Sequence, residues 1–215
     1  SGDIHIIGGE KTDIYIQAYP DVPDTLTLKL TPSQVSTQRR DSLVLNFYAT
    51  PVEDGVFHFK MPELYQDYSY KAIVKAKHFW EAWDSVTTNP EMIYVTDRPS
   101  FENFSLTTIP PAYSRLEKNI QKGNVALVEG LKGSIVQVDI SSNRMLKNSY
   151  MIINDETLEM SSRYNEASGY FKLTEEGEFT VNIVDKRGIT NKDPIPYKIN
   201  ILPDDLPSRT FITGL

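Results

Sequence analysis

Few side chains in this sequence have the type and spacing that a catalytic or metal site requires. The three histidines, His5, His58 and His78, show no paired ligand spacing, and the absence of cysteine removes thiolate ligands, disulfides and thiol nucleophiles. The sequence also lacks a phosphate-binding glycine loop and a serine-hydrolase motif. We therefore expect a protein that is not an enzyme, with no cofactor, no bound metal and no catalytic residues.

Carboxylates concentrate at two proline-containing turns, where Asp97 precedes Pro99 and the pair Asp204-Asp205 precedes Pro207. Tandem β-domains of the cadherin type bind calcium at such junctions, because oxygen ligands from both domains converge there. Those sites need further acidic residues in the preceding domain, whereas VDKRG (184–188) supplies a lysine and an arginine. We favour capped turns over a calcium site.

The aromatic segment HFWEAWD (78–84) is the best candidate for contact with a ligand or a partner. Phe79, Trp80 and Trp83 fall where a loop between the last two strands of a first domain is expected. Exposed aromatic rings in such a loop can stack on sugars or anchor a protein partner. The alternative, which we favour, is that the tryptophans cover the open end of the first core.

The motif PPAY (110–113) also has two interpretations. It resembles the proline-rich ligands of WW-type modules. The structural alternative, which we prefer, is that two prolines end a strand at a sheet edge and that Tyr113 packs beneath the chain as it crosses.

Composition and charge narrow the function classes. The 215 residues, 40% of them hydrophobic, suffice for two cores of ordinary domain size. The formal charge of −7 argues against nucleic acid or an anionic membrane as partner, since both need a basic surface. No apolar run reaches the length of a membrane span, so we expect no direct membrane contact by this segment.

Apolar residues alternate with polar ones along many short runs, which is the pattern of half-buried β-strands. About seven such strands per hundred residues predicts an all-β fold of two-sheet sandwiches. The residues expected to face the cores are Ile14, Ile16, Ala18, Leu26, Leu28, Leu30, Phe57, Phe59, Met61, Tyr70, Ala72, Val74, Ala76, Phe179, Val181 and Ile183. His58 alternates outward from this set, and we expect it to face solvent.

The sequence also repeats itself at domain scale. Asp97, Pro99 and Ser100 recur with the same spacing as Asp205, Pro207 and Ser208, and GVFHFKM (55–61) is echoed by GYFKL (169–173). This repeat predicts two tandem domains, residues 1–98 and 99–205, with residues 206–215 beginning a linker or a further domain. The short connection at 96–101 is stiffened by Pro99, and no sheet should combine strands from both halves.

Two resemblances extend this interpretation. The segment LYQDYSYKAIVKA (64–76) resembles a corner and strand of fibronectin type III and immunoglobulin-like domains, in which a tyrosine hydroxyl bonds to upstream backbone. Tyr68 or Tyr70 would take that role here, and Phe179 replaces the tyrosine in the second copy. The resemblance therefore implies two tandem immunoglobulin-like or fibronectin type III-like antiparallel β-sandwiches.

Residues 93–208 also resemble the periplasmic repeats of a bacterial membrane-anchored family of unknown function, through DRPSFENFSLTTIPPAY (97–113) and the exit DDLPS (204–208). The resemblance implies a periplasmic or cell-surface location, with membrane anchors outside this segment. The function we expect is a structural or protein-interaction segment with an unidentified partner in the envelope. The alternative is a carbohydrate-binding module.

The tryptophans distinguish these two functions. We predict that Trp80 or Trp83 is buried, because the corresponding loop of the second copy (185–194) carries no aromatic residue with which to bind sugar. Replacing the buried tryptophan with alanine should lower the free energy of unfolding by about 3–5 kcal/mol, as for a core aromatic. If denaturant unfolding is unchanged while retention on a glycan array is lost, the carbohydrate-binding alternative is correct.

Overall fold

The computed structural model describes residues 2–33, 44–76, 84–123 and 127–204. The chain divides into two compact units, Ser1–Asp97 and Arg98–Leu215. Among the described residues, every sheet takes all its strands from one unit. The last strand of the first unit ends at Thr96 and the first strand of the second begins at Phe101, so only four residues, 97–100, connect them.

The first unit consists of two sheets packed face to face. Its strands in the described residues are β1 (Ile4–Ile7), β2 (Asp13–Gln17), β3 (Leu26–Pro32), β4 (Leu45–Ala49), β5 (Pro51–Glu53), β6 (Val56–Lys60), β7 (Tyr68–Lys75), β8 (Ser85–Thr87) and β9 (Glu91–Thr96). One sheet has the order β1-β9-β7-β3-β4, with β8 paired to β7, and the other has the order β2-β6-β5.

The second unit is a single continuous path of paired strands that folds over on itself. Its strands are β10 (Phe101–Ile109), β11 (Asn119–Lys122), β12 (Leu127–Leu131), β13 (Ile135–Ser142), β14 (Leu146–Ile153), β15 (Glu156–Arg163), β16 (Glu166–Lys172), β17 (Gly177–Asp185) and β18 (Tyr197–Leu202). The order is β11-β10-β13-β16-β15-β14-β17-β18-β12, and a 3₁₀ turn at Ala112–Ser114 follows β10.

The strand order confirms the all-β, immunoglobulin-like sandwich in both units. In the second unit β10, β13, β16 and part of β15 form one layer, and β14, β17 and β18 form the other, as strands A, B, E, D and C, F, G do in that fold. The first unit places β2, β6 and β5 opposite β3, β7 and β9 in the same way. In the described residues, each unit also contains a parallel pair, β1 with β9 and β12 with β18, which alternation alone does not reveal.

The cores contain the residues that the alternation predicts. Leu28, Leu30 and Phe57 are fully buried in the first unit, and Phe179, Val181 and Ile183 are fully buried in the second. Burying side chains of this size contributes about 1.5–3 kcal/mol each. Among the predicted core residues, Ile16, Ala18, Val74 and Ala76 are only partly buried.

The hydroxyl of Tyr70 bonds to backbone, as the resemblance implies, but not at the predicted corner. Tyr70 is buried, and its hydroxyl donates to the carbonyl of Gly2 at 2.7 Å, which joins β7 to the chain just before β1. Burial raises the pKa of Tyr70, the hydrogen bond to Gly2 partly offsets it, and Glu91 and Asp3 raise it further. The Tyr68 hydroxyl instead accepts a bond from the Gln66 side chain at 3.2 Å.

A buried carboxylate organises the turn that follows β17. Asp185 is almost fully buried, and its oxygens accept bonds from the backbone N–H groups of Arg187 (2.9 Å) and Ile189 (3.0 Å) and from the Arg187 guanidinium. Burial, the largest single influence, raises the pKa of Asp185, but the hydrogen bonds and the Arg187 charge together hold it below its usual 3.8. Asp185 is the acidic residue of VDKRG, and its hydrogen bonds therefore lie within its own turn.

We predict that Asp185→Asn lowers the free energy of unfolding by about 1–3 kcal/mol, because hydrogen bonds to a charged group are lost or weakened. A group with a lowered folded pKa stabilises the fold above its unfolded pKa, and this contribution disappears as the pH falls through the folded pKa. The difference in unfolding free energy between wild type and variant should therefore narrow as the pH falls from about 4 through the folded pKa. Asp193→Asn, at an exposed carboxylate, is the matched control; an equal loss for both would contradict the account.

Candidate interaction site

The sequence-predicted contact residues Phe79, Trp80 and Trp83 lie outside the described residues, so their burial stays a prediction. The base of the segment that contains them is described. Strands β7 and β8 pair there, and the Ala76 N–H donates to the Asp84 carbonyl at 2.9 Å.

Two of the histidines are described, and each is stacked on a tyrosine. His5 packs on Tyr94 with ring centroids 4.9 Å apart, and His58 packs on Tyr15 at 4.6 Å. The expectation that His58 faces solvent freely is wrong, because the ring is half-buried and its Nε2 lies 3.3 Å from a carboxylate oxygen of Asp13. No group of three histidines or carboxylates among the described residues is arranged to hold a metal ion.

The PPAY motif ends β10, as expected, but Tyr113 does not pack beneath the chain. It is 64% exposed, and its hydroxyl donates to Asp204 at 2.9 Å. This hydrogen bond raises the pKa of Tyr113. Asp204, one of the two acidic residues that precede Pro207 in the sequence, is thus bound by a tyrosine of the same unit.

The second unit contains a concave surface that the sequence did not indicate. It is a cleft of about 680 Å³ beside β15 and β16. Its walls comprise Ile135, Ile153, Asn154, Glu156, Thr157, Leu158, Tyr170, Phe171, Lys172, Leu173, Thr174, Glu175 and Ile199.

The cleft exists because β15 changes sheets along its length. Residues Glu156 to Met160 pair with β14, whereas residues Ser161 to Arg163 pair with β16. At the change, the Ser149 and Ser162 hydroxyls are hydrogen-bonded at 2.7 Å. Gly169 permits this change of pairing partner, because a Cβ there would lie 2.8 Å from the Met160 side chain. Beyond this point β15 and β16 diverge, and the two layers are open between them.

The backbone of β16 faces the open space with unused hydrogen-bonding groups. The Leu173 N–H donates to the Ser134 carbonyl, so alternate residues of β16 are bonded to β13. The backbone groups of Tyr170 and Lys172 point the other way, and no strand of the described residues pairs with them. The cleft therefore offers an unpaired strand edge beside an apolar floor.

One end of the cleft is fixed by Asn154. This residue and Asp155 have positive φ angles, 43° and 71°, and form the two-residue turn that joins β14 to β15. The Asn154 side chain accepts from the Glu178 N–H at 3.0 Å and donates to Glu175 at 3.2 Å. A Cβ on Gly177 would overlap the Asn154 amide, so glycine is required for this contact.

The accessible lining is apolar with a charged rim. Ile135 and Leu158 are 44% and 38% exposed, and Tyr170 is 73% exposed. The charged residues in the lining are Glu156, Lys172 and Glu175. An apolar surface bordered by polar groups is the composition of a recognition site.

Comparisons with known proteins assign no family to this chain. No protein-family model and no curated protein matches the chain. Structural matches include the fibronectin(III)-like modules of Clostridium thermocellum CbhA, with 11% identity, a TM-score of 0.33, and 93% of this chain and 90% of that chain covered. A chimeric titin Z1Z2-Z1Z2 tandem matches with 10% identity and a TM-score of 0.34, covering 94% of this chain and 96% of that one.

A third match is trypsin-activated alpha-2-macroglobulin from Escherichia coli, with 12% identity and a TM-score of 0.31. This match covers 94% of the chain described here and 16% of the other. At these scores the matches serve as descriptions of similarity, and the fold assignment rests on the strand order given above.

We predict that Asn154→Ala lowers the free energy of unfolding by about 1–2 kcal/mol, since it removes hydrogen bonds between two turns. Gly177→Ala should also destabilise, because the new methyl group displaces the Asn154 amide. In the double variant the two losses of unfolding free energy should not add. Gly177→Ala should cost about 1 kcal/mol less when residue 154 is already alanine than when it is asparagine. Asn148→Ala, at an exposed asparagine of β14, is the control. Additive costs in denaturant melts would contradict the contact.

Proposed function

We propose that this chain is a non-catalytic protein-interaction segment of a larger bacterial envelope protein, and that the cleft beside β15 and β16 binds an extended polypeptide. The observation that carries the proposal is the combination of an apolar floor with an unpaired strand edge at Tyr170 and Lys172. A polypeptide in extended conformation supplies both complementary features: backbone groups for the edge and alternate side chains for the floor.

The strand edge, the apolar floor and the charged rim would contribute to peptide binding in different ways. Backbone hydrogen bonds to Tyr170 and Lys172 would fix the register of the bound segment, at about 0.5–1.5 kcal/mol each. Burial of the exposed parts of Ile135 and Leu158 would supply the affinity, at roughly 25 cal/mol per Å² of apolar surface. Glu156, Lys172 and Glu175 on the rim would then favour a partner with complementary charges.

One observation favours carbohydrate as the second candidate. The Tyr170 ring is largely exposed, and it lines the cleft together with Glu156 and Lys172. An aromatic ring flanked by hydrogen-bonding side chains is a surface on which a sugar can stack. A sugar is a poorer match than a polypeptide for the apolar residues Ile135 and Leu158. We therefore rank carbohydrate second.

The envelope location is proposed on the resemblance of residues 93–208 to bacterial periplasmic repeats. No helix in the described part of the chain is long and apolar enough to cross a membrane. The charge of −7 agrees with a partner that is neither nucleic acid nor an anionic membrane surface.

The test is selection of binders from a displayed library of random linear peptides on the whole chain. Leu158→Ser and Tyr170→Ala change partly exposed side chains, so both variants should remain folded. We predict that each substitution lowers the affinity for the selected peptides by at least about tenfold. Tyr48→Ala, at a tyrosine of the first unit that is 70% exposed, should leave binding unchanged.

The outcomes separate the two candidates. Peptide binding that depends on both Leu158 and Tyr170 supports the polypeptide cleft. Retention on a glycan array that requires Tyr170 but not Leu158 would support the carbohydrate-binding module instead. Peptides that bind all variants equally would exclude the cleft as the interaction site.

A further inference from the structure

The outer face of the larger sheet of the first unit carries positive charge without matching negative charge. Lys29 of β3 and Lys71 of β7 are directly opposite each other in the antiparallel ladder. Each lies between two buried residues of its strand, so both side chains point out of the sandwich on the same face. Lys75 follows Lys71 by four residues and shares that face. Glu91 is the only carboxylate residue within the described strands of this sheet, and it pairs with the buried Tyr70.

The two facing lysines are not neutralised by their neighbours. Lys29 and Lys71 are both half-buried, and neither forms an ion pair with a described residue. Like charges directly opposite each other in a ladder destabilise a sheet. Composition does not force this arrangement, because the chain has 29 acidic residues against 22 basic ones. A local conflict of this kind, retained against stability, is expected at functional positions.

Protection of a sheet edge does not account for the lysines. Lysine is common on edge strands, where its charge blocks pairing with another chain. Strands β3 and β7 lie inside the sheet: β3 pairs with β4 and β7, and β7 pairs with β3 on one side and with β8 and β9 on the other. Their backbone groups therefore already have partners within the unit.

The second unit shows that the fold does not require charge at this position. Strands β3 and β7 correspond to β14 and β17 in the strand order. By the repeat and the ladder register of both units, the pair Lys29–Lys71 corresponds to the pair Ile152–Thr180. An uncharged pair thus occupies the same place in the other sandwich.

The second unit also shows how a lysine on this face is ordinarily neutralised. Lys198 of β18 lies directly opposite Glu178 of β17. The corresponding positions of the first unit are Met92 and Ser69, which are also paired but carry no charge. The carboxylate that balances the face in the second unit is therefore absent from its counterpart in the first.

From these observations we infer that the lysine face, defined by Lys29, Lys71 and Lys75, is a docking surface for an extended acidic segment of a partner polypeptide. Along β7 the outward side chains of Lys71, Ile73 and Lys75 follow each other at steps of about 6.6 Å. An extended segment with a carboxylate, an apolar residue and a second carboxylate at alternate positions has the same spacing. Its first carboxylate accepts hydrogen bonds from both Lys29 and Lys71, and its second from Lys75.

Ile73 favours a polypeptide over an anionic polysaccharide as the occupant. This side chain is half-buried on the outer face, between the two lysines of β7. An apolar side chain of a polypeptide covers Ile73 while its neighbours reach the lysines, whereas a uniformly charged glycan offers no apolar group there. The complementary charges set the orientation of the segment and the rate of its association. The inference concerns a surface of the first unit and does not depend on the cleft of the second.

The experiment measures calorimetric binding of the synthetic peptide Glu-Thr-Val-Thr-Glu-Thr-Val-Thr-Glu to the whole chain. We expect saturable binding that weakens as the salt concentration rises. The double variant Lys29→Ile, Lys71→Thr introduces the residue types of the second unit and should lower the affinity at least about tenfold. The double variant Lys11→Gln, Lys60→Gln is the matched control, because it removes two exposed charges elsewhere in the same unit. It should bind as wild type does.

A charge reversal separates recognition from stability. Lys71→Glu places opposite charges across the ladder, so the variant should unfold at a higher temperature than wild type and yet lose the peptide. A folded variant that binds poorly cannot then be explained by damage to the sandwich.

Three results would overturn the inference. The first is an absence of saturable binding, or equal binding by wild type and the double variant at Lys29 and Lys71. The second is equal binding of a peptide of the same composition with its three glutamates contiguous. The third is binding of alginate, but not of the peptide, that depends on both lysines, since the occupant would then be an anionic polysaccharide. Leu158→Ser in the cleft should leave peptide binding to the lysine face unchanged, so the two surfaces are tested separately.

Discussion

The structure depends on how the backbone groups at the edges of its sheets are satisfied. Every strand carries N–H and C=O groups on both sides, and a sandwich leaves some of them without a neighbour. In the second unit, β10 covers the edge of β13, and β15 connects the two layers by pairing first with β14 and then with β16. Among the described residues, the part of β16 beside the cleft lies inside the strand order but has no strand paired to its outer side.

The candidate site has its origin in the pairing of one strand. The cleft opens because residues 156–160 of β15 pair with β14 and only residues 161–163 pair with β16, which leaves the backbone of Tyr170 and Lys172 exposed next to the apolar floor. This surface combines backbone groups with partly exposed apolar side chains, which is why we propose polypeptide recognition for it.

The sequence predicts the cores well and the sites poorly, and the reason is physical. Alternation records which face of a strand is buried, so Leu28, Leu30, Phe57 and Phe179 were identifiable. It does not record which strands are neighbours, and the cleft depends on β15 pairing with two of them. Most of β15 is exposed, so Glu156 to Arg163 show no apolar alternation; only the Asn154-Asp155 turn before them signals a hairpin.

Amide hydrogen exchange of the free chain, resolved by residue, tests the central claim most directly. If the edge beside the cleft is unpaired, the amides of Tyr170 and Lys172 exchange rapidly, while that of Phe171, which faces β13, is protected. Protection that alternates along this part of β16 is the predicted result. Uniform slow exchange along it would show that the edge is already covered and would contradict the account.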